Sequence, residues 1–157
     1  MNIAIASDKS GFALKEAIAA FLTEAGMEFT DLGTRDPDSP IPYFEAAPIV
    51  AKAIQRGEAD RGILCCGTGM GMAVVANKHK GIYAACCESV YTAKMCRAVN
   101  DANVLCMGGW LIGEWLGAEM AKAFLATAFT QDLEEWRGAW LHNAKAKIAA
   151  YEEGEFS

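Results

Sequence analysis

The sequence predicts an α/β fold: a doubly wound, five-stranded parallel sheet covered by helices on both faces, a three-layer α/β/α sandwich of Rossmann-like type. Three observations predict it. Five short apolar runs alternate with segments whose apolar residues recur at helical spacing. The runs are almost continuously apolar, as expected of strands buried on both faces. The 157 residues contain no internal repeat, low-complexity tract or linker, so one domain spans 1–157 around one core. Right-handed crossovers between parallel strands then give the doubly wound arrangement.

The elements follow in order. Residues 2–7 form the first strand, closed by Asp8-Lys9-Ser10-Gly11. Residues 12–25 read as a helix, with Leu14, Ile18, Phe21 and Leu22 on one stripe and Gly26 as its cap. Residues 27–32 resume extended character, and 33–42, with three prolines, form a loop. A helix over 45–56 stops at Gly57. Residues 62–66 are the third strand, and Gly67-Thr68-Gly69-Met70-Gly71 leads into a short helix ending near Asn77. The fourth strand is 82–86, followed by a helix over 89–99, and the fifth is 104–107. Helices over 112–126 and, more polar, over about 132–151 complete the chain.

Composition excludes several classes of function. The formal charge of −6, with scattered basic residues, leaves no surface for nucleic acid. The longest uncharged run, 62–77, is glycine-broken and too short for a membrane span. The first residues lack a basic stretch and meet Asp8 too early for a signal peptide. Cys65, Cys66, Cys86, Cys87, Cys96 and Cys106 form no zinc or C-x-x-C spacing, and most lie in apolar stretches. They read as reduced thiols of a cytoplasmic protein. His79 and His142 are the only histidines, so no metal site is expected.

In a doubly wound sheet, ligands bind at the carboxyl ends of the strands. This directs attention to Asp8-Lys9, the loop after Leu32, 66–71, Cys87-Glu88 and Gly108-Gly109. The richest of these is Cys65-Cys66-Gly67-Thr68-Gly69-Met70-Gly71. Alternate glycines let peptide N–H groups converge on an anion, and the following helix adds its positive end. A sulfur just before this nest supplies a base. Base and anion cradle together suit proton abstraction beside a carbonyl, where charge develops on oxygen. Adjacent strand residues face opposite sides, and Cys66 adjoins the glycines, so it is the candidate in preference to Cys65. Inert packing is the competing reading of either thiol.

Other readings compete for these residues. A dinucleotide fingerprint, G-x-G-x-x-G, would need its third glycine at 72, which is Met, and belongs after the first strand rather than the third. Asp8 is a candidate acceptor for ligand hydroxyls or a helix N-cap. Lys9 is a phosphate ligand or a solvated charge. Asn100-Asp101-Ala102-Asn103 and Asn77-Lys78 also read as plain turns and helix ends. Trp110, Trp115, Trp136 and Trp140 read as core and interface packing, against a sugar-stacking platform.

The run Ile63-Leu64-Cys65-Cys66-Gly67-Thr68-Gly69-Met70-Gly71, with Ala76-Asn77-Lys78 and Gly81-Ile82, resembles the ribose-5-phosphate isomerase B / galactose-6-phosphate isomerase family. Ser7-Asp8 with Gly11, Leu32-Gly33-Thr34, Arg97, Asn100-Asp101-Ala102-Asn103-Val104 and Gly108 extend the likeness from residue 1 to about 130. The resemblance implies an aldose–ketose isomerase of a sugar phosphate, acting through an enediolate without metal or organic cofactor. It implies a homodimer or homotetramer with sites at the subunit interface, the last helix packing on a partner subunit. Cys66 would shuttle the proton, with Thr68 nearby and the amides of Gly67, Gly69, Met70 and Gly71 holding the enediolate. Asp8 would bind substrate hydroxyls and Asn100 would reach in from the partner; Lys9 and Arg97 are this chain's own further candidates for binding substrate.

Several positions depart from the family. Lys9 and Val99 stand where histidines are usual, the second of these associated with ring opening; Tyr83 replaces an arginine. Pro40-Ile41-Pro42 replaces Asp-Tyr-Pro, and the phosphate-gripping C-terminal arginines have no clear counterpart. Lys9, Arg97, Arg137, His142 and Lys145 are the cations available instead. Valine cannot transfer a proton, which motivates a substrate that is linear when bound, such as a four-carbon sugar phosphorylated at its terminal oxygen. A non-catalytic or half-site subunit is the alternative.

Overall fold

The computed structural model describes residues 1–156. Strands β1 (Ile3–Ser7), β2 (Phe29–Asp31), β3 (Arg61–Cys66), β4 (Ala84–Cys86) and β5 (Val104–Gly108) form one parallel sheet in the order β2-β1-β3-β5-β4. The helices are α1 (Phe12–Glu24), α2 (Tyr43–Gln55), α3 (Met70–Ala76), α4 (Val90–Asn100), α5 (Glu114–Ala126) and α6 (Glu135–Glu155). The doubly wound sandwich expected from the sequence is the one observed.

Handedness distributes the helices. The crossovers β1–α1–β2 and β4–α4–β5 step one way across the sheet; β2–α2–β3 and β3–α3–β4 step the other. Right-handed connections of opposite direction must use opposite faces. Accordingly α1, α4 and α5 cover one face, while α2 and α3 cover the other. The direction reverses between β1 and β3, which makes the gap beyond Ser7 and Cys66 the topological switch point.

Strand alternation builds two different cores. Ile3, Ile5, Ile63, Cys65, Leu105 and Met107 face the first layer and meet Ile18, Met120 and Phe124. Ala4, Ala6, Leu64, Cys66 and Cys106 face the second, against Ala46, Ala47, Val50 and Ala51 of α2. Small residues on both sides let α2 lie close to the sheet, and each large aliphatic group buried on the other face contributes about 1.5–3 kcal/mol.

The element ends show why some expected bounds move. Gly26 adopts φ +67°, and the Met27 N–H still donates to the Leu22 carbonyl, so β2 cannot begin at 27. The Ile82 N–H is turned back to His79, which shortens β4 to three residues. Pro42, at ψ 153°, is the N-cap of α2, which therefore starts at Tyr43. Ser89 and Thr92 form a reciprocal capping box that starts α4 one residue later than expected.

One expectation about packing is corrected. The four tryptophans are absent from the core: Trp110, Trp115, Trp136 and Trp140 are all exposed. Only Leu141 of α6 is buried, because that helix packs along one narrow line near α4. Lys15, by contrast, is completely buried. Its Nζ donates to the Thr34 carbonyl at 2.7 Å, pairs with Asp31 and lies 2.8 Å from Glu16. The loop after β2 is thereby fastened to α1. Among the described residues, no helix is long and apolar enough to cross a membrane.

Candidate active site

The site grows from the end of β3. Cys65 and Cys66 take opposite faces, as pleating requires. Cys65 is 0% exposed, and burial, reinforced by Cys66 and only partly countered by Lys15, pushes its thiol well above the ordinary thiol range. Cys66 is also buried, at 5% exposure, but its sulfur meets the loop: the Gly69 N–H donates to Sγ at 3.1 Å. Gly69 sits at φ +79°, a left-handed conformation that glycine adopts without strain. That turn aims its amide back at the sulfur and opens α3.

The glycines at 67 and 71 also make room for two aromatic rings. A Cβ at 67 would lie 2.8 Å from the Trp110 ring, and one at 71 would lie 2.9 Å from the Tyr43 ring. The space that these glycines leave is therefore filled by aromatic side chains. Gly69 is enclosed as well, by the Met107 backbone and by the Cys86 sulfur, 3.0 Å from an added Cβ. The Cys86 thiol donates to the Thr68 carbonyl at 3.6 Å. Thr68 Oγ1 accepts from the Met70 N–H at 3.3 Å, holding the turn in which Met70 itself is exposed.

The neighbouring strand ends are zipped onto this loop. The Asp8 N–H donates to the Cys65 carbonyl, while Asp8 Oδ1 accepts from the Gly11 N–H at 3.0 Å at the start of α1. One carboxylate oxygen thus holds the turn that leads into α1, whose N-cap is Gly11 rather than Asp8, and Asp8 remains half-exposed beside the switch point. Lys9 next to it is exposed. A Cβ on Gly11 would fall 2.3 Å from the Cys65 carbonyl group, so only glycine lets α1 begin this near β3. From β5, the Gly109 N–H donates to the Cys66 carbonyl at 2.7 Å and the Trp110 N–H to the Gly67 carbonyl at 3.0 Å. Cys66, residues 67–71, Asp8, Lys9, Trp110, Tyr43 and Cys86 therefore share one end of the sheet.

Two expected site residues lie elsewhere. Arg97 is a correction: it is 3% exposed, with Nε on the Thr127 carbonyl and Nη1 on Asp101 and the Ala102 carbonyl. Its guanidinium also lies over the Phe124 ring. It braces the α4–β5 turn and does not face the loop. Asn100 ends α4 at the amino end of β5, about 16 Å along the sheet from the Cys66 end for a five-residue strand. Within one chain it cannot meet that sulfur. There it lines a cavity of about 300 Å³ with Tyr83, Val99, Trp140, Leu141 and Lys145. A wider, open hollow of about 650 Å³ lies at the amino ends of β1 and β2, also remote from Cys66.

The surroundings of Asn100 carry charge. Burial pushes the Asp101 carboxyl upward, but hydrogen bonds from Lys145 and Arg97 outweigh it and hold the group below its usual range. Burial and the hydrogen bond to Glu152 raise the Tyr83 hydroxyl. Asp101 itself adopts φ 50° as the cap of α4, so the turn reading of 100–103 holds.

Comparison with known proteins places these residues in context. The Ribose/Galactose Isomerase family profile matches residues 3–139. A 4-deoxy-4-sulfo-D-erythrose isomerase of Clostridium sp. (strain MSTE9) is 61% identical over 153 residues, covering 98% of this chain and 96% of the relative. A D-erythrulose-4-phosphate isomerase of Pectobacterium atrosepticum is 41% identical over 131 residues, 82% of this chain and 85% of the relative. The solved structure of Clostridium thermocellum ribose-5-phosphate isomerase B superposes with a TM-score of 0.88 at 38% identity, over the whole of both chains.

Proposed function

The chain belongs to the ribose/galactose isomerase family, and from that premise we propose that it interconverts an aldose and a ketose of four carbons with an anionic terminal group, a sulfonate in the first instance. The observation that carries the reading is the sulfur of Cys66 against the Gly69 amide at the β1/β3 switch point. In the proposed reaction, Cys66 removes the proton from C2 of the aldose and returns it to C1. The O2 proton passes to O1, with Thr68 as the nearby hydroxyl. No electrons leave the substrate. The amides of 67–71 receive the charge that grows on the enediolate oxygen. The Gly69 N–H to Sγ hydrogen bond strengthens when the sulfur carries charge.

Asp8 is proposed to bind substrate hydroxyls through its oxygen not engaged by Gly11, with Lys9 beside it. Asn100 is proposed to act across a subunit interface, because its own Cys66 lies at the opposite end of the sheet. The active unit is then at least a homodimer.

Val99 and the 61% identical relative support the same substrate class. A sugar with sulfur in place of oxygen on C4 has no hydroxyl there to close a furanose, so no ring-opening histidine is required. A terminal phosphate on the same carbon skeleton is the second reading, favoured by the erythrulose-4-phosphate relative. Purified protein incubated in deuterated water with each candidate tests the proposal. Deuterium at C1 or C2 of 4-deoxy-4-sulfo-D-erythrose or its ketose is expected. Exchange into ribose 5-phosphate but into neither four-carbon sugar would refute it.

A further inference from the structure

We infer that Trp110 and Tyr43 are specificity-determining walls at the two ends of the 67–71 loop, confining the substrate to a four-carbon chain. The inference rests on the proposed four-carbon reading and adds the residues that enforce it.

The argument begins with the glycines. The Trp110 ring packs so closely on Gly67 that a Cβ there would be 2.8 Å from Cδ2, Cε2 and Cζ2. The Tyr43 ring does the same at Gly71, at 2.9 Å from Cε2. Yet neither ring is core: Trp110 is 72% exposed and Tyr43 is 40% exposed. Each therefore presents one side to the loop and the rest of its surface to whatever occupies the site.

Both residues are anchored through their backbones. Trp110 is registered by the backbone bonds of Gly109 and Trp110 to Cys66 and Gly67, the residues that carry the sulfur and start the nest. Tyr43 follows Pro42 at the head of α2, and its ring is met edge-on by Phe44 at 5.4 Å. The segment before it is stapled by Thr34 Oγ1, which accepts from the Ile41 N–H at 3.0 Å. The Thr34 carbonyl in turn binds buried Lys15.

Their chemistry selects the ligand. Their flat faces offer C–H contact to a short carbon chain, and their placement at Gly67 and Gly71 bounds the length of chain that fits between them. Neither ring brings a positive charge, so the walls themselves offer the anionic end no guanidinium clamp.

The test uses the Cys66→Ser protein, which binds without turnover, and isothermal titration with 4-deoxy-4-sulfo-D-erythrulose and D-ribulose 5-phosphate. Adding Trp110→Ala or Tyr43→Ala is expected to weaken four-carbon binding about fivefold per ring. Five-carbon binding is expected to stay level or improve, so the preference collapses. Trp110→Phe keeps a wall and should retain it, with unchanged melting temperatures excluding misfolding. Ligand-dependent quenching of indole fluorescence should fall in Trp110→Phe, since a purely structural Trp110 would contribute none of it. A four-carbon preference that survives both alanine substitutions refutes the walls and leaves the substrate reading standing. A five-carbon preference with both rings in place refutes both.

Discussion

Replacing Cys66 and Cys65 separately by serine gives opposite outcomes if one sulfur is the base and the other is packing. Cys66 receives the Gly69 amide and borders the loop; a serine there keeps the shape and loses a base able to take the C2 proton. Loss of a general base costs about 10²–10⁴ in rate, or about 3–5 kcal/mol of barrier. Stability should hardly change, since the hydroxyl inherits the Gly69 donor. Cys65 lies 0% exposed among Ile5, Ile63 and Met107, with its thiol raised by burial and thus held neutral. Serine there puts a hydroxyl into an apolar layer, a cost of about 1–3 kcal/mol. For a chain of this size that is a fall of about 3–10 °C in melting temperature. Solvent-deuterium exchange measures the first effect and thermal unfolding the second. Equal losses of exchange in the two variants, or a Cys66→Ser protein within tenfold of wild type, would refute the assignment.

Mixing inactive Cys66→Ser and Asn100→Ala subunits, after unfolding and refolding together, should restore about a quarter of wild-type activity. Half of the dimers are then mixed and each holds one intact interface site; no recovery would show that Asn100 does not act across subunits. Lys15→Met should destabilise the protein by about 3 kcal/mol, because the Thr34 carbonyl and the partly buried Asp31 lose their cation. The corresponding fall in melting temperature is about 6–12 °C, and a shift below about 2 °C would count against it. Asp101 is held below its ordinary 3.8, so its stabilisation is present above that pH and fades as pH falls through the lowered value. Asp101→Asn should therefore melt below wild type at neutral pH, with the gap closing in acid; a constant gap down to pH about 2 would contradict this.

Much of this was legible in the residues themselves. Continuous apolar runs and helical stripes disclose the sheet, and strand parity separates Cys65 from Cys66 before any coordinates. What escaped depended on who packs against whom. Arg97 occupies a family position, but only the tertiary structure reveals that the Thr127 and Ala102 carbonyls turn it inward. Lys15 sits beside Leu14 on the buried stripe with Ile18 and Leu22, a spacing that would have flagged it had its charge not suggested solvent. Trp110 and Gly67 are 43 positions apart, so nothing local announces that one needs the other to lack a side chain. Cys86 gives no such signal, because a three-residue edge strand carries too little pattern to tell its two sides apart.

The buried ammonium of Lys15 has a consequence for how this protein can change. It anchors the stretch after β2 at Thr34, while residues 35–40 beyond it are all exposed. Insertions or exchanges there can re-aim Tyr43 without touching the sulfur, the loop amides or either hydrophobic layer. A lineage can thus retune what it accepts while its chemistry stays still, and directed evolution would do well to begin in those six positions.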